Sequence, residues 1–389
     1  MLEGYVHPSF RAVATAFERQ LPTELPGGGA LTVRHRGEVV LDMWGGRRSP
    51  DERWQKDTLA TSFSTSKGVA STLLHLLADR GLVDYRTPVA HYWPEFAQND
   101  KGRISVRTLL SHEAGLYDVR HLVPDAAVLN DWPKMLELLA AARPAHRPGR
   151  RHGYHAWTYG FLVGGLVEQV TGKPLAQVLH EELVEPLDLD GAYLGLPESE
   201  HHRAATLVLP EPRDAAIVPV PGLASRMTRS AVRSQTRELR RALVPHGMRD
   251  FDLNGPEFRS ACNPSAGGMF TSRSLARIYG MLAEGGTVDG HRFLSPRTLA
   301  AMGTRQSSTP DVVLKLPMHW RLGYHRVFSL NPRAPHAFGH FGWGGSGAWA
   351  DPSRRLSFGF TCNSGTGSPV GDLRIMRLTS AVLKAADSR

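Results

Sequence analysis

Apolar and polar positions change period several times along the chain, and each change marks an element. Residues Met1 to Leu21 mix Glu3, Arg11, Glu18 and Arg19 with apolar side chains, the pattern of an amphipathic surface helix. Ala30 to Trp44 alternates with period two and breaks at Arg36-Gly37, which predicts a β-hairpin ending at Gly45-Gly46. Val69, Leu73, Leu74, Leu76 and Leu77 then recur at helical spacing, so a helix runs from about Ser64 to Gly81. From Asp84 to Asp250 the pattern is mostly helical, with Val106 to Ser111, Trp132 to Ala142 and a strong segment from Trp157 to Thr171 that stops at Gly172. Glu198 to Pro221 is irregular and proline-punctuated, and reads as loop with short strands. Ser272 to Glu284 predicts another helix, closed by Gly285-Gly286. His319 to Val327, Ala337 to Phe341, Gly347 to Asp351 and Leu356 to Asn363 read as successive antiparallel strands, and Asp372 to Ala386 as a closing helix.

Strands at both ends with helices between them predict a split α/β (α+β) domain, residues 1–83 and 251–389, built on an antiparallel sheet flanked by helices. A mainly helical domain, residues 84–250, is inserted into it. Two such lobes leave a cleft, a preferred place for a small-molecule site.

Composition narrows the setting. A chain of 389 residues with 41% apolar content can bury one large core or two apposed lobes. The first residues lack the apolar run of a secretory signal, and the longest apolar runs, such as Phe161 to Val167, fall well short of a membrane span. Two cysteines, Cys262 and Cys362, read as free thiols, so a soluble, cytoplasmic protein is expected. The net charge of +9 comes from arginine, since only seven of the 46 basic residues are lysine. Two basic stretches stand out, Arg143 to His152 and Arg226 to Arg241; such runs are solvated faces unless they draw in an anionic partner. No basic motif interleaved with aromatics accompanies them, so nucleic acid is not expected as a partner, and neither is a membrane.

Chemistry enters at Ser64-Thr65-Ser66-Lys67. Residues i and i+3 of a helix are neighbours, so the Lys67 amine can sit beside the Ser64 hydroxyl. Free backbone N–H groups of the first turn stabilise negative charge there. A hydroxyl becomes a nucleophile when a nearby base takes its proton, and a desolvated, uncharged lysine can do that. Tyr154, in the loop Pro148 to Ala156, could exchange protons with nucleophile and leaving group if a charged Lys67 lowers its pKa. Phe338 to Gly347, with glycines at 339, 342, 344, 345 and 347, lets a strand edge approach a ligand. One backbone N–H there could pair with that of Ser64 as an oxyanion hole. Gly342 to Gly347 also matches a dinucleotide fingerprint, but a strand-like segment follows where that motif needs a helix. There is no Gly-x-Ser-x-Gly, no His-Glu-x-x-His and no phosphate loop, and His201-His202 lacks the spacing of a metal site. No cofactor and no metal are expected.

In this order and spacing the three segments resemble the serine β-lactamase and penicillin-binding superfamily, with the nearest likeness to class C β-lactamases and the family VIII carboxylesterases that share their fold. Ala30 to Glu38 looks like the family's opening hairpin, and Val106 to Leu116, with Leu109-Leu110-Ser111-His112-Glu113-Ala114-Gly115-Leu116, like its cleft-lining element. Thr158 to Leu175 and Asn263 to Met269 fit as well. The resemblance implies a β-lactamase/transpeptidase-like fold, Ser64 as acylated nucleophile and Lys67 as its base partner. It implies Tyr154 as the tyrosine of a Tyr-x-Asn box, and His340-Phe341-Gly342 in the place of Lys-Thr-Gly. The oxyanion hole then falls on the N–H groups of Ser64 and Trp343, next to Gly344. Two departures matter. Ala156 stands where β-lactamases keep an asparagine, and His340 and Phe341 replace a lysine and a threonine that help to hold the β-lactam carboxylate. Both weaken recognition of an anionic β-lactam.

The expected activity is therefore hydrolysis of small-molecule carboxylic esters through a Ser64 acyl-enzyme, with Tyr117, Trp157 and Trp343 as pocket walls. The same intermediate serves an acyltransferase, or a weak β-lactamase or D-aminopeptidase. A non-catalytic binding relative is the reading from another class.

Overall fold

The structure is a computed structural model, described here for residues 2–22, 27–208, 237–365 and 372–389. Its main sheet has seven strands: β1 (Leu2–Val6), β2 (Gly28–His35), β3 (Glu38–Gly46), β4 (His325–Arg326), β5 (Phe338–Phe341), β6 (Gly347–Asp351) and β7 (Leu356–Cys362). They lie in the order β1-β3-β2-β7-β6-β5-β4, every neighbouring pair antiparallel. The β2–β3 hairpin turns at Arg36 and Gly37, whose φ of 55° and 83° are the two left-handed residues that a tight hairpin's twist requires. β2 pairs β7 from Leu356 opposite His35 to Cys362 opposite Gly29, which joins the two ends of the chain in one sheet.

The period-two alternation sorts side chains to opposite faces. On β6, Ala348 and Ala350 join the large core, whereas Trp349 faces the other way with Phe341, Phe358 and Phe360. That second face is covered by α1 (Arg11–Glu18) and the closing helix Leu373–Asp387 through Phe10, Val13, Phe17, Ile375, Leu378 and Val382. The first face is covered by α2 (Thr65–Asp79) and the helix Ser272–Ala283. α2 is the axis of the molecule: every residue from Thr65 to Leu77 is buried. Between the two groups of strands come helices Val106–Leu110, Trp132–Ala141 and Tyr159–Thr171, and helical residues 237–243. Gly172, with φ of 68°, caps the third of these as the sequence predicts.

The first 21 residues differ from the amphipathic helix expected. They form the edge strand β1 and a short turn at Pro8–Phe10 before α1 begins at Arg11. Pro8 drives the residue before it into extended backbone. At Gly4, φ is 120°, and a Cβ would lie 2.0 Å from the Asp42 carbonyl oxygen, so the strand passes too close to β3 for any side chain there. The expected strand His319 to Val327 shortens to His325–Arg326, because left-handed backbone at His319 (φ 51°) and Gly323 (φ 85°) interrupts it. Part of the irregular stretch Glu198 to Pro221, and residues 226–236 of the second basic stretch, lie outside the described residues; Glu198–Arg203 forms a short 3-10 helix rather than loop. Cys262 and Cys362 are both free thiols. Among the described residues no helix is long and apolar enough to cross a membrane.

Candidate active site

Ser64 is delivered by a strained turn. Phe63 holds φ at 44°, a left-handed conformation that costs an aromatic residue about 1–3 kcal/mol. Neighbours hold it there. The Ser62 N–H donates to the Gly268 carbonyl (2.9 Å), and the Ser66 hydroxyl donates to the Phe63 carbonyl (2.6 Å). The Phe63 ring meets Trp343 edge-on with centroids 5.2 Å apart. Ser64 then opens α2 as its N-cap residue and is 8% exposed.

One turn later Lys67 is fully buried, and its Nζ lies 2.8 Å from Ser64 Oγ. Nζ also donates to the Ser265 carbonyl at 2.6 Å. No carboxylate among the described residues pairs with it, and burial alone holds its pKa well below that of a free lysine. Lys67 is thus driven towards the neutral amine.

Tyr154 completes the cluster, its hydroxyl donating to Ser64 Oγ at 2.6 Å. Its ring stacks on Trp320 (centroids 5.6 Å, 11°) and lies 6.2 Å from the His340 ring. Burial raises the Tyr154 pKa above the usual phenol value. This corrects the expectation that a charged Lys67 lowers it: both groups lose water together, which disfavours the ammonium and the phenolate alike. The three groups can then form one chain of hydrogen bonds, from phenol to Ser64 Oγ, from the Ser64 hydroxyl to the amine lone pair, and from the amine to the Ser265 carbonyl.

The support beneath Tyr154 has no signature in the sequence. Asp311 is completely buried and accepts from the N–H of Tyr154 (3.2 Å), Val313 (2.8 Å) and Leu314 (3.0 Å), and from the Trp320 indole (3.0 Å). One carboxylate therefore fixes both the phenol loop and the indole stacked against the phenol. His112 and His155 close the other side, their Nδ1 atoms 3.1 Å apart, and burial lowers the pKa of both, that of His155 to about 3.

The glycine-rich turn follows β5. A Cβ on Gly342 would fall 2.3 Å from the Ser62 carbonyl oxygen, so only glycine lets this turn close on the serine turn. Gly344 takes a φ of 92° and its carbonyl accepts from Arg374 (2.7 Å). The N–H groups of Ser64 and Trp343 have no hydrogen-bond partner among the described residues, as donors reserved for an oxyanion would. His340, at the end of β5, is buried and its pKa is held well below normal, first by burial and then by His325 and Lys67. It brings no fixed positive charge to the site.

The remaining predicted residues lie around the phenol loop and beyond it. The Tyr117 ring is 2.6 Å from where a Gly153 Cβ would stand, and its hydroxyl donates to Glu238 (2.8 Å). Trp157 is largely buried and turns its indole N–H to the Leu243 carbonyl (3.0 Å), against Phe251. Trp343 is half-buried against Phe63. Among the described residues no cluster of potential metal ligands occurs.

Residues 15–382 match the beta-lactamase family model. The chain belongs to the beta-lactamase family. Within it, this chain is 38% identical to the esterase/beta-lactamase LipL of Mycobacterium tuberculosis over 364 residues, 92% of this chain and 82% of that one. A crystal structure of a family VIII carboxylesterase superposes with a TM-score of 0.87 at 34% identity, covering 99% of this chain and all of the other. A penicillin-binding protein homologue from Caulobacter crescentus superposes with a TM-score of 0.86 at 34% identity, with 99% and 100% covered. This beta-lactamase-family member thus shares its fold with a family VIII carboxylesterase and with a penicillin-binding protein homologue.

Proposed function

We propose that the protein is a serine ester hydrolase acting on small, uncharged carboxylic esters. The observation that carries this reading is the convergence of Lys67 Nζ and Tyr154 hydroxyl on Ser64 Oγ, at 2.8 Å and 2.6 Å. Ser64 Oγ attacks the ester carbonyl carbon while its proton passes to the neutral Lys67 amine. The oxyanion is held by the Ser64 and Trp343 N–H groups. Collapse breaks the bond to the alcohol, which leaves with the phenolic proton of Tyr154, and the Lys67 ammonium restores that proton. Water then attacks the acyl-Ser64 ester; the same pair takes its proton and returns one to Ser64 Oγ as the acid departs.

Names of relatives that combine esterase and beta-lactamase leave the leaving group to be chosen from this chain's own residues. Neutral His340, Phe341 and Ala156 offer no anchor for a carboxylate or an amide side chain, which favours neutral esters over β-lactams. The free thiols of Cys262 and Cys362 support a cytoplasmic setting. Ser64→Ala should abolish turnover of p-nitrophenyl acetate, and a fluorophosphonate should add its mass to the wild type and not to the variant. Undiminished turnover by the variant would remove the assignment. Transfer product exceeding hydrolysis when an alcohol acceptor is added would reassign the enzyme as an acyltransferase.

A further inference from the structure

β4 is the edge of the main sheet, beside the strand that carries His340. Outside this edge lies a half-open cavity of about 800 Å³, within the size range of small-molecule sites. Arg305, Arg321, Arg326 and Arg333 line it, with His319 and the Phe328 ring. None of Ser64, Lys67 and Tyr154 does. Among the described residues none of the four guanidinium groups forms an ion pair, and the nearby Asp351 is held by Arg354 at 2.8 Å.

Arg321 is only 6% exposed. Its Nε donates to the Gly303 carbonyl and its Nη2 to the Pro335 carbonyl, both at 2.8 Å, while Nη1 is buried without a partner among the described residues. Arg326 is similar: among the described residues its Nε is buried without a partner, and its guanidinium lies 4.8 Å over the Phe328 ring. A buried N–H left unpaired is destabilising, and four like charges around one space repel. Burial, and then Arg305, push the Arg321 pKa down to about 10, which still leaves it charged at neutral pH. One carboxylate would offset a single one of these charges. Phosphate groups carry more charge and match the forked donors of arginine in pairs.

We propose that this cavity binds a phosphorylated small molecule, its phosphate oxygens held by Arg305, Arg321 and Arg333 and its organic part lying against Phe328. The site is separate from the ester-cleaving centre and stands whether or not that reading holds.

Calorimetric titration of the whole protein with ADP, inorganic pyrophosphate and adenosine tests it. Saturable one-to-one binding of ADP and pyrophosphate is expected, with no heat from adenosine. Arg321→Gln strips two backbone carbonyls of their donor and can unfold the segment, so the exposed Arg305 and Arg333 carry the test. R305Q/R333Q should weaken both phosphate compounds about tenfold or more, with p-nitrophenyl acetate hydrolysis unchanged. Absence of binding by both, unaltered affinity in the double variant, or equal binding of adenosine overturns the proposal.

Discussion

At the scale of single residues, the site works by withholding water. An amine on the surface is charged and cannot accept a proton, but Lys67 has neither solvent nor, among the described residues, a carboxylate to keep its charge. Its folded pKa lies below the usual lysine value, so kcat/KM should rise with pH through that depressed pKa as the ammonium becomes amine. The phenol pKa of Tyr154 is raised, so no matching fall should follow in the mildly alkaline range. A rate profile falling between pH 7 and 9 contradicts this charge assignment. Tyr154→Phe keeps the stack on Trp320 and removes only the proton donor; kcat should drop about 10²–10⁴-fold, the usual worth of a positioned acid–base group. A loss below threefold would pass the leaving-group proton to another donor.

Among the elements, the turn between β5 and β6 and the turn that opens α2 have to meet. Gly342→Ala places a methyl group 2.3 Å from the Ser62 carbonyl oxygen and pushes the Trp343 N–H off its position. Turnover should fall about 10²–10³-fold, the cost of one lost oxyanion donor, while circular dichroism shows a folded protein. Full activity would place the second donor elsewhere. How far such elements can be read in advance depends on where their information lies. Arg36-Gly37 announces its hairpin because two left-handed residues are a local demand, and Ser64 and Lys67 meet because i,i+3 spacing is local too. β1 escapes because an exposed edge strand needs no alternation, and its register depends on Asp42 and Met43 of β3. Asp311 escapes because it reaches Tyr154 from 157 positions away with no spacing rule between them. The position of the Lys67 amine followed from its helix. Its charge state depends on thirteen consecutive buried residues, a property of the packed core.

For the molecule as a whole, the same lysine makes stability depend on pH. The unfolded chain binds the Lys67 proton up to about pH 10.4, whereas the folded chain releases it at a lower pH. Between those two values unfolding takes up a proton, so stability rises with pH. Lys67→Met removes this contribution. The unfolding free energy of the wild type should therefore gain on that of the variant as pH climbs from 7 to 10, measured by urea denaturation. Parallel curves would mean that the folded protein keeps the proton. The pairing of β2 with β7 has another consequence, one of timing. Gly29 cannot find Cys362 until every residue between them has been synthesised, so the early hairpin waits with one flank unpaired in the meantime. Truncating the gene before the last strand should consequently yield insoluble chains rather than a smaller working enzyme.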